Sequence, residues 1–253
     1  MEYTTLYEGY GINVNFYPSQ TTARKTIKTP LLIIDDVSQA GMMNTAAYRD
    51  NENARIETLQ NDGFNVYRLK IYFPYDNDEL DVIINKIVNY IKREYGKDRI
   101  NIMSTAPCNT TFAVRYAFNH PDYVKNIIIS EQKALVSESC AKNIVGNYRD
   151  DYISVYDSAF NNMMKRINVA HNTGKLYHSL KYQGTTLDDQ TGAIEGNGGV
   201  SMPILVVCPE CDYITTDFDD VNTVVASADK QMAFYDNIYD ATDEIIEWMR
   251  ARS

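Results

Sequence analysis

Arg99-Ile100-Asn101-Ile102-Met103-Ser104-Thr105-Ala106-Pro107-Cys108-Asn109-Thr110-Thr111-Phe112 carries the decisive change of texture in this chain. Ile100 to Met103 reads as a short strand bordered by charge. Thr110 to Phe118 then has helical spacing, which Pro121 interrupts. A strand passing into a helix through a tight turn is one step of a parallel, helix-covered sheet. The neighbouring segments repeat the step.

On the N-terminal side, Ile12, Val14 and Phe16 alternate weakly, as an edge strand does. Pro30-Leu31-Leu32-Ile33-Ile34 is a buried-strand run ending at Asp35-Asp36. Ala54, Ile56 and Leu59 give Asn53–Gln60 helical character, closed at Asn61-Asp62-Gly63. Phe64–Ile71 is the next strand. Leu80, Ile83, Ile84, Ile87 and Ile91 repeat at helical spacing up to Gly96.

On the C-terminal side, Val124–Ile129 and Pro203–Cys208 are strongly apolar strands, and Asn222–Ala226 is read as the last one. Asp240–Arg250 is a terminal helix with Asp240 as its N-cap and Ile245, Trp248 and Met249 as its buried stripe. Residues 131–199 differ: they are polar, rich in asparagine and tyrosine, and end in a glycine-rich run. They read as a mostly helical cap inserted into a core formed by residues 1–130 and 200–253.

A chain of 253 residues can bury one large core. Its 24 basic and 34 acidic side chains leave a net charge of -10, which opposes a nucleic-acid backbone or an anionic membrane as partner. No run reaches the roughly 20 apolar residues of a membrane span. The first residues do not resemble an export signal, so a cytoplasmic protein with reduced thiols is expected. The 20 tyrosines carry no functional reading of their own.

Several short stretches resemble poly(3-hydroxyalkanoate) synthases. They are Thr29–Ile34, Gly63–Tyr67, Arg99–Ile102, Thr111-Phe112, Tyr116-Ala117, His120-Pro121, Val124–Asn126 and Ile245–Arg252. That resemblance covers residues 29–130 and 200–252. It implies an α/β-hydrolase fold: a mostly parallel central sheet covered by helices on both faces, with a helical cap. It also implies a cysteine nucleophile at the strand-to-helix turn, a histidine before the terminal helix and an acid after the penultimate strand.

Two of those three positions depart from the pattern. Counting from either side puts the nucleophile on Ala106 or Pro107, and neither attacks anything. Proline also forbids the positive φ that such a turn demands. Cys108 is the local thiol, one or two places displaced. It reads either as a small packed hydrophobe or as a thiol activated at the helix start formed by Asn109–Phe112. Where the family has Gly-His-Ile-Gly-Val-Tyr, this chain has Lys230–Tyr235, which puts Gln231 in the histidine's place. Glutamine has no proton to shuttle near neutral pH.

Asp212 matches the family's acid, as an orienting carboxylate or as a turn cap. Asp35-Asp36 stands where many hydrolases place a His-Gly pair beside the oxyanion hole. Two carboxylates there would oppose a developing negative charge, bind a cation or a hydroxylated ligand, or face solvent. His120 matches a structural turn, while His171 and His178 lie in the cap as substitute bases or locally bonded side chains.

Cys208-Pro209-Glu210-Cys211, with Cys108 expected across the same crevice, suggests a redox pair or a partial metal site, but the only other thiol is Cys140 in the cap, and ordinary strand-end packing is the simpler reading. No metal site and no cofactor fingerprint is expected.

Three functions remain open. The first is a catalytically degenerate member that binds a small acyl or hydroxylated ligand, or a protein, through Asp35, Asp36, Asn109 and Gln231. The second is an acyltransferase or ester or thioester hydrolase using Cys108 and Asp212 with a non-standard base. The third is a noncatalytic structural or granule-associated partner that pairs with its own copy or a related subunit.

Overall fold

The computed structural model describes residues 2–9, 11–20, 29–36, 46–71, 77–105, 113, 116–117, 119–130, 202–208, 229–235 and 237–252. These form eight strands and three long helices. The strands are β1 (Thr4–Gly9), β2 (Ile12–Tyr17), β3 (Leu31–Asp36), β4 (Val66–Ile71), β5 (Ile100–Ser104), β6 (Val124–Ser130), β7 (Ile204–Cys208) and β8 (Lys230–Phe234). The helices are α1 (Ala46–Asn61), α2 (Asn77–Tyr95) and α3 (Thr242–Ala251).

The strands build one sheet in the order β1-β2-β4-β3-β5-β6-β7-β8. β1 and β2 pair antiparallel, as do β2 and β4, and every pairing from β4 to β8 is parallel. The parallel strands are apolar on both faces because both are covered. Leu31 to Ile34 are wholly buried, as are Ile127 to Ile129.

Pairing register assigns the faces. Leu31, Ile33, Val66, Met103, Ile128, Leu205, Val207 and Ala233 form one core cluster with Ile56 and Leu59 of α1 and Ile245, Trp248 and Met249 of α3. Residues of the opposite parity face the other way. On α2, Leu80, Ile84, Val88 and Ile91 recur every three or four residues and are buried. β6 pairs directly with β7, so chain on both sides of residues 131–199 contributes to the same sheet.

Turn chemistry ends α1 where the sequence predicts. The Gly63 N–H donates to the Gln60 carbonyl, and its φ of 96° is one that only glycine adopts without strain.

Three expectations are corrected. A further strand, β1, pairs with β2 at the sheet's edge. The last described strand is Lys230–Phe234, while Asn222–Ala226 lies outside the described residues. Asp240 does not cap the terminal helix. It sits inside a 3-10 turn, Ile238–Ala241, whose cap is Asn237, and α3 follows with Ala241 at its N-cap position. The predicted cap, residues 131–199, also lies outside the described residues. Among the described residues, no helix is long and apolar enough to cross a membrane.

Candidate active site

In a sheet of this kind, ligands bind beyond the carboxyl ends of the parallel strands. Here those ends are Asp35-Asp36 on β3, Lys70-Ile71 on β4, Ser104 with Thr105 on β5, Ser130 on β6, Cys208 on β7 and Phe234 with Tyr235 on β8.

Asp35 does not face solvent. It is 1% exposed, and Arg68 of the adjacent strand is 4% exposed. The Arg68 Nε donates to Asp35 Oδ2 at 2.9 Å, and its Nη2 donates to the same oxygen. Pairing of Ile33 with Arg68 and of Asp35 with Lys70 puts the two side chains on one face. The carboxylate is thus matched by a guanidinium within the fold, and its charge is not a bare obstacle to an anion at the strand ends. Asp36 closes β3.

Thr105 ties the start of the β5 turn to this pair. Its N–H donates to the Ile34 carbonyl at 3.3 Å. Its hydroxyl lies 3.4 Å from both that carbonyl and Asp35 Oδ1. The residue from which the expected nucleophile turn departs is therefore anchored to β3. Lys70, half-buried beside them, has its ammonium pKa lowered by burial and by Arg68, with Asp35 opposing.

A second buried pair lies on α1. Arg55 Nη1 is 3.4 Å from Glu52 Oε1, and both side chains are 1% exposed. The Arg55 guanidinium sits 4.4 Å from the centre of the Tyr239 ring. Burial, then the Glu52 charge, hold the Tyr239 hydroxyl well above its ordinary pKa.

The structure does not bring Gln231 to the strand ends. It is the second residue of β8, opposite Leu205, three residues and about 10 Å of extended chain before Phe234. Its side chain is exposed and donates to Glu244 Oε1 of α3 at 2.9 Å. Tyr235, just beyond β8, donates its hydroxyl to Glu244 Oε2. That bond, with burial adding to it, pushes its pKa up to about 12. Tyr235, Asp236 and Asn237 therefore follow β8, and none is a histidine.

His120 lies at the other end of the sheet. It precedes β6, whose six residue steps put it about 20 Å from Ser130. Its Nε2 is 3.0 Å from Asp81 Oδ2, and its ring packs on Tyr116 and Tyr123. Packing is its role, as the sequence predicts. Pro107, Cys108, Asn109, Cys140, His171, His178, Cys211 and Asp212 lie outside the described residues.

The sequence reading missed Arg68, Thr105, Lys70 and Tyr239. A signal existed for the first: a guanidinium in the apolar run Phe64–Ile71 needs a buried partner.

No protein-family model matches the chain, and no curated protein matches it. Solved structures do. A soluble variant of monoglyceride lipase from Saccharomyces cerevisiae, in complex with a substrate analog, superposes with a TM-score of 0.55 at 11% identity. It covers 100% of this chain and 95% of its own. Est1E from Butyrivibrio proteoclasticus gives 0.58 at 15% identity, covering 99% and 96%. The thioesterase domain of the curacin biosynthetic pathway gives 0.52 at 12%, covering 99% of each.

This chain has the α/β-hydrolase fold. Within that fold α1 and α3 cover one face, α2 and the helical residues Ala113, Tyr116 and Ala117 accompany the other, and β5 leads into the turn where a nucleophile is expected. Identities of 11–15% speak to architecture and leave the chemistry to this chain's own residues.

Proposed function

We propose that this protein binds a small acyl or hydroxylated ligand at the strand ends of its α/β-hydrolase fold without turning it over. One observation carries the reading: by sequence count the two places this fold reserves for a nucleophile and an imidazole hold neither. β5 ends at Ser104, and the sequence continues Thr105-Ala106-Pro107. β8 ends at Phe234, and the sequence continues Tyr235-Asp236-Asn237. Acyl transfer in this fold needs a nucleophile at the first place and an imidazole at the second. The chain's three histidines, His120, His171 and His178, all precede β7.

The ligand class is supported by the neighbours. The solved structures include a monoglyceride lipase and a thioesterase domain, whose names concern acyl groups. The resemblance to poly(3-hydroxyalkanoate) synthases points to a hydroxyacyl group in particular. Asp35 and Arg68 form a buried, hydrogen-bonded polar pair beside such a site. Cys108, Asn109 and Asp212 are assigned to ligand contact from their places in the sequence after β5 and β7.

The test is to titrate the protein with the N-acetylcysteamine thioester of 3-hydroxybutyrate. Saturation-transfer NMR reads binding, and thiol release reads turnover. Saturable binding with release at the buffer rate is the expected result. Release that saturates with substrate and vanishes in Cys108→Ala establishes the rival reading, an active hydrolase. No binding at millimolar ligand leaves the docking-partner reading in its place.

A further inference from the structure

A cavity lies at the antiparallel edge of the sheet, where the β1–β2 hairpin overhangs α2, with a volume of about 490 Å³. That is within the range of roughly 300–1,000 Å³ typical of small-molecule sites. Ile12 and Val14 of β2 form its floor. A register shift between Thr5 and Tyr7 bulges β1, and the consecutive side chains Leu6 and Tyr7 both line the cavity. Regular alternation would send them to opposite faces, and a bulge is a recognised means of re-aiming a side chain. The Tyr7 hydroxyl lies 3.2 Å from where a Cβ on residue 9 would stand, so Gly9 leaves room for that ring along the strand.

The helix contributes the opposite wall. α2 buries Leu80, Ile84, Val88 and Ile91, while Ile83 and Ile87 stay half-buried and line the cavity with Tyr90. Its apolar arc is wider than the sheet beneath it covers. Among the described residues, Lys86 is the one charged residue in the lining, and it is exposed and forms no ion pair with them. In a chain of net charge -10, a lone ammonium beside an apolar slot selects an apolar body with an anionic head.

We propose that this groove binds the aliphatic chain of a free fatty carboxylate, with Lys86 pairing its head group. The hairpin and α2 enclose the chain from two sides. A cationic amphiphile would set like charge against Lys86, and a neutral one would leave that ammonium without an anion. β4 stands between this groove and Asp35 on β3, and the proposal holds whether or not the ligand proposed at the strand ends is correct.

Calorimetric titration of the whole protein with dodecanoate below its micelle concentration tests it, with dodecanol and dodecyltrimethylammonium as controls. Dodecanoate is expected to bind one to one and more tightly than either control. Ile87→Trp fills the slot and weakens it at least about tenfold. Lys86→Gln weakens dodecanoate about two- to fivefold and leaves dodecanol unchanged. Both variants keep the parent melting temperature, and Ile87→Trp keeps the thioester binding of the strand ends. Absence of saturable binding, equal or tighter binding of the cation, or indifference to both substitutions overturns the proposal. So does a change of oligomeric state in Ile87→Trp, which would make the groove a contact between copies.

Discussion

Replacing Arg68 by methionine isolates the polar pair of the candidate site. Arg68 and Asp35 have side chains 4% and 2% exposed, and two of Arg68's donors go to one carboxylate oxygen. Methionine keeps much of the volume and removes both hydrogen bonds, leaving Asp35 charged in a place that water does not reach. Breaking a buried pair from one side costs about 3–5 kcal/mol. That is a large share of the roughly 5–15 kcal/mol by which a domain is stable. For a chain of this length the melting temperature should fall by about 6–20 °C.

Replacing both partners, Asp35→Leu with Arg68→Met, removes the stranded charge. It should recover most of the loss, because apolar substitutes for a buried pair are often neutral or better. The single tryptophan, Trp248, is 4% exposed in the core and gives a fluorescence signal for unfolding. A melting temperature for Arg68→Met within about 2 °C of the parent would refute the reasoning, since one kilocalorie already moves it by that much. A double variant as unstable as Arg68→Met alone would refute it as well.

Other consequences are more local. Gln231→His places an imidazole beside Glu244, so NMR titration should show a histidine pKa above the usual 6.5 or so, with no gain in ester hydrolysis. A gain of hydrolysis would mean that position 231 does reach the site. Arg252 holds Asp229 below its usual pKa of 3.8, chiefly by hydrogen bonding. The pair's contribution is therefore present above that pH and fades as pH falls through the folded-state value. Because the Asp229 side chain is 44% exposed, Asp229→Asn should cost no more than about 1 kcal/mol at pH 7, and less still near pH 2 in urea unfolding. Ile84→Ala, at a position 1% exposed, should cost about 2–5 kcal/mol. Val82→Ala, at one 53% exposed, should stay within about 0.5 kcal/mol in the same measurement.

The parallel strands were legible because burial on both faces gives uninterrupted apolar runs, as in Leu31–Ile34 and Ile127–Ile129. The stripe on α2 was legible for a related reason, although its periodicity could not separate the buried Ile84 from the half-buried Ile87. Edge elements were not. β1 is exposed along most of its length, and Lys230-Gln231-Met232-Ala233-Phe234 mixes polar and apolar residues too loosely to stand out. α1 starts earlier than its apolar residues suggest, since its buried face includes Glu52, Arg55 and Gln60. Asp35 stood out in the sequence as a candidate, but its partner lies 33 positions away and is found only through strand order. Gln231 misled because a residue count along a motif cannot tell the second residue of a strand from the loop after it.

Intact-protein mass spectrometry after incubation with an activated short-chain ester shows whether the chain can form an acyl-enzyme. The account predicts the unmodified mass for the parent, and the same for Cys108→Ala. One acyl group per chain in the parent, lost in Cys108→Ala and turning over on dilution, would contradict it.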